Sequence, residues 1–498
     1  MKKKLLLNSV TSLVYQIVYI IYGFVAPRLI LSTYGSEVNG LISSLNQFLS
    51  VIALSEFGMT AVVQSSLYKP LSRNDNLGIS QVLTSSSRFF RKIGLVYIVY
   101  VVILCVTYPL VVSTAFHEIY IAKMILILCM ASLFQYLVGL SYLQLLIADQ
   151  HAYVYQIANT VSILISILAC VLLTKWQCSV HLLKLVLSIL LLISPVYSII
   201  YVKLKFRGVN THTGYDSEPI KQKWNSIAHH LSAYVYSSTD ILVLSVFSTL
   251  SNVSVYTVYN LVLNGLQKLC AMFDNAVKPI LGQLWATGEV KKFTKCFRLY
   301  EWGIHNLSVL IFGCATVLIV PFVKIYTTAI NDRNIYIVPA FAFLLSLAVM
   351  LQNIKNIYHN LIQSIGFFKQ TQNCYLITAI INVAISIILV KKYGLIGVAI
   401  GTLVAVWYQI IWLISFISGE ILTDDMKYIK LIVLDATNFA VPYFLCRRIT
   451  EEATSISSWI MCAAFSLILW VSVMSVLNWL LYRDYIREAI EMMKSKSK

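Results

Sequence analysis

Charge is scarce in this sequence. Asp, Glu, Lys and Arg make up 12% of its 498 residues, about half the share of a soluble domain. The motifs of soluble chemistry are missing too. The ten cysteines include no C-x-x-C pair, so neither a zinc site nor a dithiol redox site is supported, and no metal is expected. No Walker A loop occurs and no G-x-G-x-x-G follows a strand, so the chain does not hydrolyse ATP and no cofactor is expected. No cleavage site of small residues follows a short apolar stretch after Met1-Lys2-Lys3-Lys4. The first apolar run therefore reads as a retained span, not a removed signal peptide.

Apolar residues fill the space instead, at 59%, with a mean hydropathy of +0.78. One soluble core cannot hide that much, because a water-facing surface needs polar groups. A soluble enzyme, a secreted disulfide scaffold and a disordered chain are excluded. The fold class expected is an all-α polytopic membrane protein. A span takes about 20 apolar residues. Fourteen candidates run over 8–31, 38–66, 93–115, 121–147, 152–174, 182–202, 225–248, 254–277, 302–326, 337–362, 371–390, 394–418, 431–449 and 457–481. The runs are too long, and alternate too little, for a transmembrane β-barrel.

An even number of spans puts both termini on one side, and the basic residues choose that side. With the N-terminus inside, 26 of the 38 Lys and Arg fall at inner ends and 9 at outer ends. Both termini are therefore expected in the cytoplasm. The bias also accounts for most of the net charge of +17 without nucleic acid as a partner. Only Arg28, Lys268 and Lys355 are left in or beside apolar spans. The outer loops are too short for a catalytic domain. Residues 76–90 read as an amphipathic helix on the inner membrane surface, with Arg88, Arg91 and Lys92 toward anionic headgroups.

The spacing of hydrophobic runs repeats at an offset of 217. Asn8-Ser9 opens the first span as Asn225-Ser226 opens the seventh, and Val38 matches Val255. Each pair of spans leads to a basic inner loop, with Lys69-Pro70 in one and Lys278-Pro279 in the other. Six spans per half in the same orientation form a parallel repeat, and transport sites usually lie where such repeats meet. The expected organisation is an N-terminal lobe over 1–203, a cytoplasmic linker over 204–224 and a C-terminal lobe over 225–430. Two further spans and a basic tail fill 431–498.

Polar groups inside spans are the site candidates, because each costs several kcal/mol unless it meets a wet cavity or a partner. Asn260, Asn264, Lys268 and Asn275 share one face of the eighth span, with Asp274 near its inner end. Gln352, Asn356, His359, Asn360 and Gln363 form a stripe on the tenth, with Lys355 at its edge. His229, Tyr236 and Asp240 share a face of the seventh, and Asn39, Ser43, Asn46, Gln47 and Ser50 a face of the second. Asn8, Ser12, Tyr15, Tyr19 and Tyr22 line the first. Polar glue between helices explains one or two such stripes; stripes in both halves point to a hydrated cavity. Asp240 is the leading candidate for a coupling or gating carboxylate, with Glu56 and His359 beside it. Protons and Na+ are both open as the coupling ion. Asp149, at a seam, reads as a helix cap or inner gate contact, and His229 and His230 as proton relays or packing.

Several stretches match a known family. Pro27-Arg28-Leu29-Ile30-Leu31-Ser32-Thr33-Tyr34-Gly35 resembles the first outer loop of bacterial polysaccharide flippases. Leu54-Ser55-Glu56-Phe57-Gly58 and Leu67-Tyr68-Lys69-Pro70-Leu71 resemble their second span and first inner loop. Thr239-Asp240-Ile241-Leu242-Val243-Leu244-Ser245 resembles the seventh span, Val255-Tyr256-Thr257-Val258-Tyr259-Asn260 the eighth, and Gly394-Leu395-Ile396-Gly397-Val398-Ala399-Ile400-Gly401-Thr402 the twelfth. That family lies in the MATE-like multidrug/oligosaccharidyl-lipid/polysaccharide exporter superfamily.

The resemblance implies two six-helix lobes working by alternating access in the bacterial plasma membrane. It implies a lipid-linked oligosaccharide cargo, flipped to the outer leaflet for capsule or O-antigen assembly. It further implies a polysaccharide polymerase and glycosyltransferases as partners, and cationic cavity residues holding the diphosphate. Arg28 and Lys268, then Lys355, are the positions for that role, with Asn and Tyr side chains on the sugars. A cation-coupled multidrug exporter of the same fold is the rival reading, kept open by Asp240 and the tyrosines. A membrane glycan polymerase or acyltransferase is the enzyme-class alternative, disfavoured by the short outer loops.

Overall fold

The computed structural model describes residues 2–56, 59–209, 227–328, 330, 333–422, 426–451, 453–483, 485 and 487. The expected linker beyond residue 209, most of the basic tail, and the side chains of His229, His230 and Tyr236 lie outside what is described.

The described chain is helical throughout its spans, as it must be where no water is present to satisfy backbone N–H and C=O groups. The helices are α1 (Lys2–Ser50), α2 (Met59–Ser72), α3 (Asn76–Val111), α4 (Glu118–Phe134), α5 (Leu140–Ala148), α6 (Ala152–Lys175), α7 (Val180–Leu190) and α8 (Ile193–Lys205). They continue as α9 (Ile227–Phe247), α10 (Leu250–Ala286), α11 (Val290–Tyr326) and α12 (Pro339–Ile365), then α13 (Phe368–Tyr393), α14 (Leu395–Glu420), α15 (Met426–Glu451) and α16 (Ile456–Leu481). Among the described residues, each of the fourteen expected spans falls mainly on helix. Ten helices among those residues are long and apolar enough to cross a membrane by length and composition, the first counted run covering the first two expected spans across the kink at Gly35. The fold is that of an all-α polytopic membrane protein.

The break between the first two expected spans falls where expected, at Gly35, whose non-helical φ of 84° suits a residue without a side chain. Other boundaries differ: the second expected span gives way to a 3-10 turn at Val51–Glu56 before α2 begins. Pro27 lies inside helical backbone and makes no break of its own. The fourth expected span contains a π-helical turn at Gln135–Gly139, and the sixth is broken between Leu190 and Ile193.

The expected surface helix at 76–90 is corrected. It is the first part of α3, capped by Asp75, and Ile79, Val82, Leu83, Thr84, Ser85, Ser86 and Phe90 are buried. Its apolar face packs into protein rather than lying on lipid.

Contacts divide the chain into two compact units. One holds Met1–Tyr234 with Thr249–Ser254, and the other Val235–Ser248 with Val255–Lys498. In the first unit, Gly40 of α1 lies against the start of α10; a methyl there would sit 1.8 Å from the Leu250 carbonyl oxygen. In the second, α15 and α16 dock on α11. Trp470 packs against Gly313, where a methyl would sit 2.4 Å from its indole nitrogen, and Trp459 donates its indole N–H to the Leu318 carbonyl at 3.0 Å. Asn478 donates to Asn306 Oδ1 at 2.6 Å and accepts from Trp302 at 2.8 Å. In hydrocarbon, small residues and such polar pairs hold helices together where water-driven burial does not.

Candidate transport site

Asp240 lies in a buried polar cluster of the second unit. It projects from α9 and is 4% exposed. Tyr256 on α10 donates its hydroxyl to Oδ2 at 2.8 Å, and Thr402 on α14 lies 2.9 and 3.1 Å from the two carboxylate oxygens. Asn382 on α13 donates to the Thr402 oxygen at 3.0 Å. Ser386, one turn along α13, presses on Gly401. Among the described residues, Asn382 Oδ1 and Ser386 Oγ are buried with no hydrogen-bond partner. Acceptors left in that state cost free energy unless something else meets them. Its candidate ligand atoms are the oxygens of Asp240, Tyr256, Thr402, Asn382 and Ser386, which is the donor chemistry of hard cations.

Its assembly follows from the sequence. Gly397 and Gly401 form a G-x-x-x-G stripe on α14, which lets α13 approach to backbone contact. A methyl on Gly397 would meet the Leu389 carbonyl at 2.6 Å, and one on Gly401 the Ser386 hydroxyl at 2.3 Å. That approach carries Thr402 to Asn382 and Asp240. Sequence reading singled out Asp240 but missed Asn382 and Ser386. Their signal was two polar residues one turn apart in an apolar run, facing the glycine stripe.

A second network joins four helices of the same unit. Tyr300 on α11 donates to Asp274 on α10 at 2.6 Å, and Asn360 on α12 donates to the Tyr300 oxygen at 3.1 Å. Lys278 pairs with Gln363, Gln363 meets His359 at 2.8 Å, and His359 pairs with Tyr375 on α13. Lys355 and Lys278 both interact electrostatically with Asp274. The structure thus brings His359 and Lys355 to one network around Asp274. Asn356 and Asn260 are half-buried, while Asn264 and Lys268 are exposed together, one turn apart on α10.

This unit also holds buried ion pairs that sequence reading did not single out. His305 Nδ1 is 2.5 Å from Asp435 Oδ2, and its Nε2 is 3.2 Å from the Tyr358 hydroxyl. Arg298 donates to Glu301 at 2.9 Å, both buried. Asp435 in the apolar thirteenth span was the available signal.

In the first unit, Glu56 accepts from the Tyr136 hydroxyl at 2.6 Å. Arg28, Tyr19 and Asn46 are exposed. The stripe on the second span is partly glue: Asn39 donates to Ser254 at 2.8 Å, and Ser50 lies 2.9 Å from the Tyr234 hydroxyl. The start of the first stripe is glue as well. Asn8 donates to the Gln150 carbonyl at 3.0 Å and accepts from the Tyr153 amide at 2.8 Å. Beside it, Asp149 pairs with Lys205 at 2.5 Å, and His151 sits 2.8 Å from the same ammonium. Burial, then the Lys205 charge, hold the His151 imidazole below its ordinary pKa.

No family model matches the chain, and no curated protein sequence does. Solved structures do. A lipid II flippase MurJ in an inward closed conformation aligns with a TM-score of 0.70 at 15% identity, over 97% of this chain and all of that one. An inward-facing multidrug resistance MATE transporter of the MOP superfamily aligns with a TM-score of 0.66 at 14% identity, over 80% of this chain and 95% of that one. A MOP superfamily transporter from Pyrococcus furiosus aligns with a TM-score of 0.56 at 14% identity, over 84% and 96%. Likeness at such identities speaks for the fold, and the fold of this chain is that of the MATE-like flippases and transporters.

Proposed function

We propose that this protein flips polyprenyl-diphosphate-linked oligosaccharides from the inner to the outer leaflet of the bacterial plasma membrane, by alternating access. The observation that carries this reading is extent. The flippase structure spans 97% of this chain, whereas the multidrug transporter structure spans 80%. The polar stripes support it, since a diphosphate and its sugars cannot enter hydrocarbon without polar and cationic partners.

In this reading Arg28, Lys268 and Lys355 hold the diphosphate, and Asn46, Asn260, Asn264, Asn356 and Tyr19 meet the sugars. Glu56 and His359 act in gating. The lipid tail stays in the bilayer. The two units take the place of the two lobes, with both termini in the cytoplasm. Coupling runs through Asp240: a proton or Na+ entering its oxygen cluster satisfies Asn382 Oδ1 and Ser386 Oγ and biases one state of the cycle. The polymerase and glycosyltransferases of the same surface polymer are the expected partners.

A cation-coupled drug exporter is the competing reading, favoured by the buried carboxylate. A deletion strain separates the two. Accumulation of lipid-linked oligosaccharide with loss of surface polymer is expected. Unchanged polymer with new drug sensitivity would overturn the flippase reading.

A further inference from the structure

A cleft of about 640 Å³ opens between α11, α12 and α15 in the second unit. Thr316, Val317, Val320, Pro321 and Lys324 line it along one face of α11. Tyr443, Arg447 and Thr450 do so along one face of α15. The start of α12 closes the third side with Pro339, Ala340, Phe343 and Leu344. The lining thus carries two cations over aliphatic and aromatic walls.

The position is a helix-end layer. Lys324 lies in the last turn of α11, Pro339 begins α12, and Thr450 is one residue from the end of α15. Phe322 stacks on Tyr326 and tilts against Trp459 near the start of α16. Aromatic residues gather in this way at the boundary between hydrocarbon and headgroups. A cation near a helix C-terminus also offsets the carbonyl dipoles. That role needs no cleft, yet both cations line one.

We infer that this cleft binds the phosphate headgroup of an anionic membrane phospholipid. Arg447 offers a planar fork to phosphate oxygens and Lys324 a second, compact charge. Val317, Val320 and Leu344 take the first carbons of the acyl chains, and the remainder stays in the bilayer. Two cations favour a headgroup of net negative charge over a zwitterionic one. The apolar walls favour a lipid over free phosphate. This site is separate from the residues assigned above to cargo and coupling, and it stands whether the cargo is a glycolipid or a drug.

The test uses the purified full-length protein in detergent. Thermal unfolding is followed with added phosphatidylglycerol, phosphatidylcholine or inorganic phosphate, and native mass spectrometry counts retained lipid. Phosphatidylglycerol is expected to raise the wild-type midpoint by roughly 2 °C or more beyond phosphatidylcholine. K324Q/R447Q loses that difference and retains less phosphatidylglycerol. If the double variant does not fold, R447Q alone, at an exposed position, gives the same comparison at about half the effect. An undiminished shift in the variants overturns the proposal. So does an equal shift from phosphatidylcholine, or one reproduced by inorganic phosphate.

Discussion

Tyr256 donates its hydroxyl to Asp240 Oδ2 at 2.8 Å, from the helix that follows it in the chain. Both are buried, and no basic side chain hydrogen-bonds to this carboxylate among the described residues. A buried carboxylate met only by hydroxyls and amides retains the capacity to take a cation. Asp240→Asn keeps the shape and removes the charge. It is expected to fold normally and to lower ion-dependent transport in proteoliposomes by about tenfold or more, the range for lost metal-site contacts. Tyr256→Phe should weaken the ion dependence without abolishing it. Full ion dependence in Asp240→Asn would remove this site from the coupling cycle.

The glycines of α14 make a sharper test of the fold. Gly397→Ala places a methyl 2.6 Å from the Leu389 carbonyl carbon and oxygen, atoms of backbone that no rotamer change can move. Overpacking of this kind costs about 1–3 kcal/mol. The expected result is a lower unfolding midpoint together with weaker ion dependence, because Thr402 moves with α14. Gly419→Ala on the same helix meets nothing within 4 Å and should be neutral. Equal behaviour of the two variants would mean that close helix approach is not what assembles the Asp240 cluster.

The membrane class and the helical runs were legible in the sequence, because each rests on hydropathy in a single stretch, and so was the presence of an acid, Asp240, inside an apolar run. What was not legible depends on pairs of distant residues. Asn382 and Ser386 look like ordinary polar residues of an apolar helix until α14 brings Thr402 beside them. Asp435 gains meaning only from His305, 130 positions earlier. The helix at 76–90 misled for a related reason. An amphipathic face does not say whether lipid or protein covers it, and here protein does.

The basic residues assigned to the diphosphate differ in their surroundings. Lys355 is half-buried beside Asp274, whereas Arg28 and Lys268 are exposed. Lys268→Ala is expected to reduce polymer export at normal protein level. Lys355→Ala should reduce it and also lower the unfolding midpoint, since it leaves Asp274 with one cation fewer. Unimpaired export in the double variant Arg28→Ala/Lys268→Ala would discard both as headgroup ligands.

The seam between α5 and α6 predicts a pH dependence of stability. His151 is buried there, with Nδ1 2.7 Å from the Asp149 carbonyl and Lys205 at 2.8 Å from Nε2. Lys4 adds further positive charge nearby, and Tyr153 and Tyr201 pack against the ring. Burial first, and the Lys205 charge next, depress the imidazole pKa in the folded protein. The unfolded chain therefore binds more protons than the folded one as the pH falls through the ordinary imidazole range, about 6.5. The folded state loses stability across that window, and above it the effect is absent. The unfolding midpoint of the wild type should accordingly be lower at pH 5.5 than at pH 7.5. His151→Gln removes the titrating group while keeping a polar side chain, so its midpoint should fall less over the same interval. A fall as large in His151→Gln would assign the pH dependence to other groups.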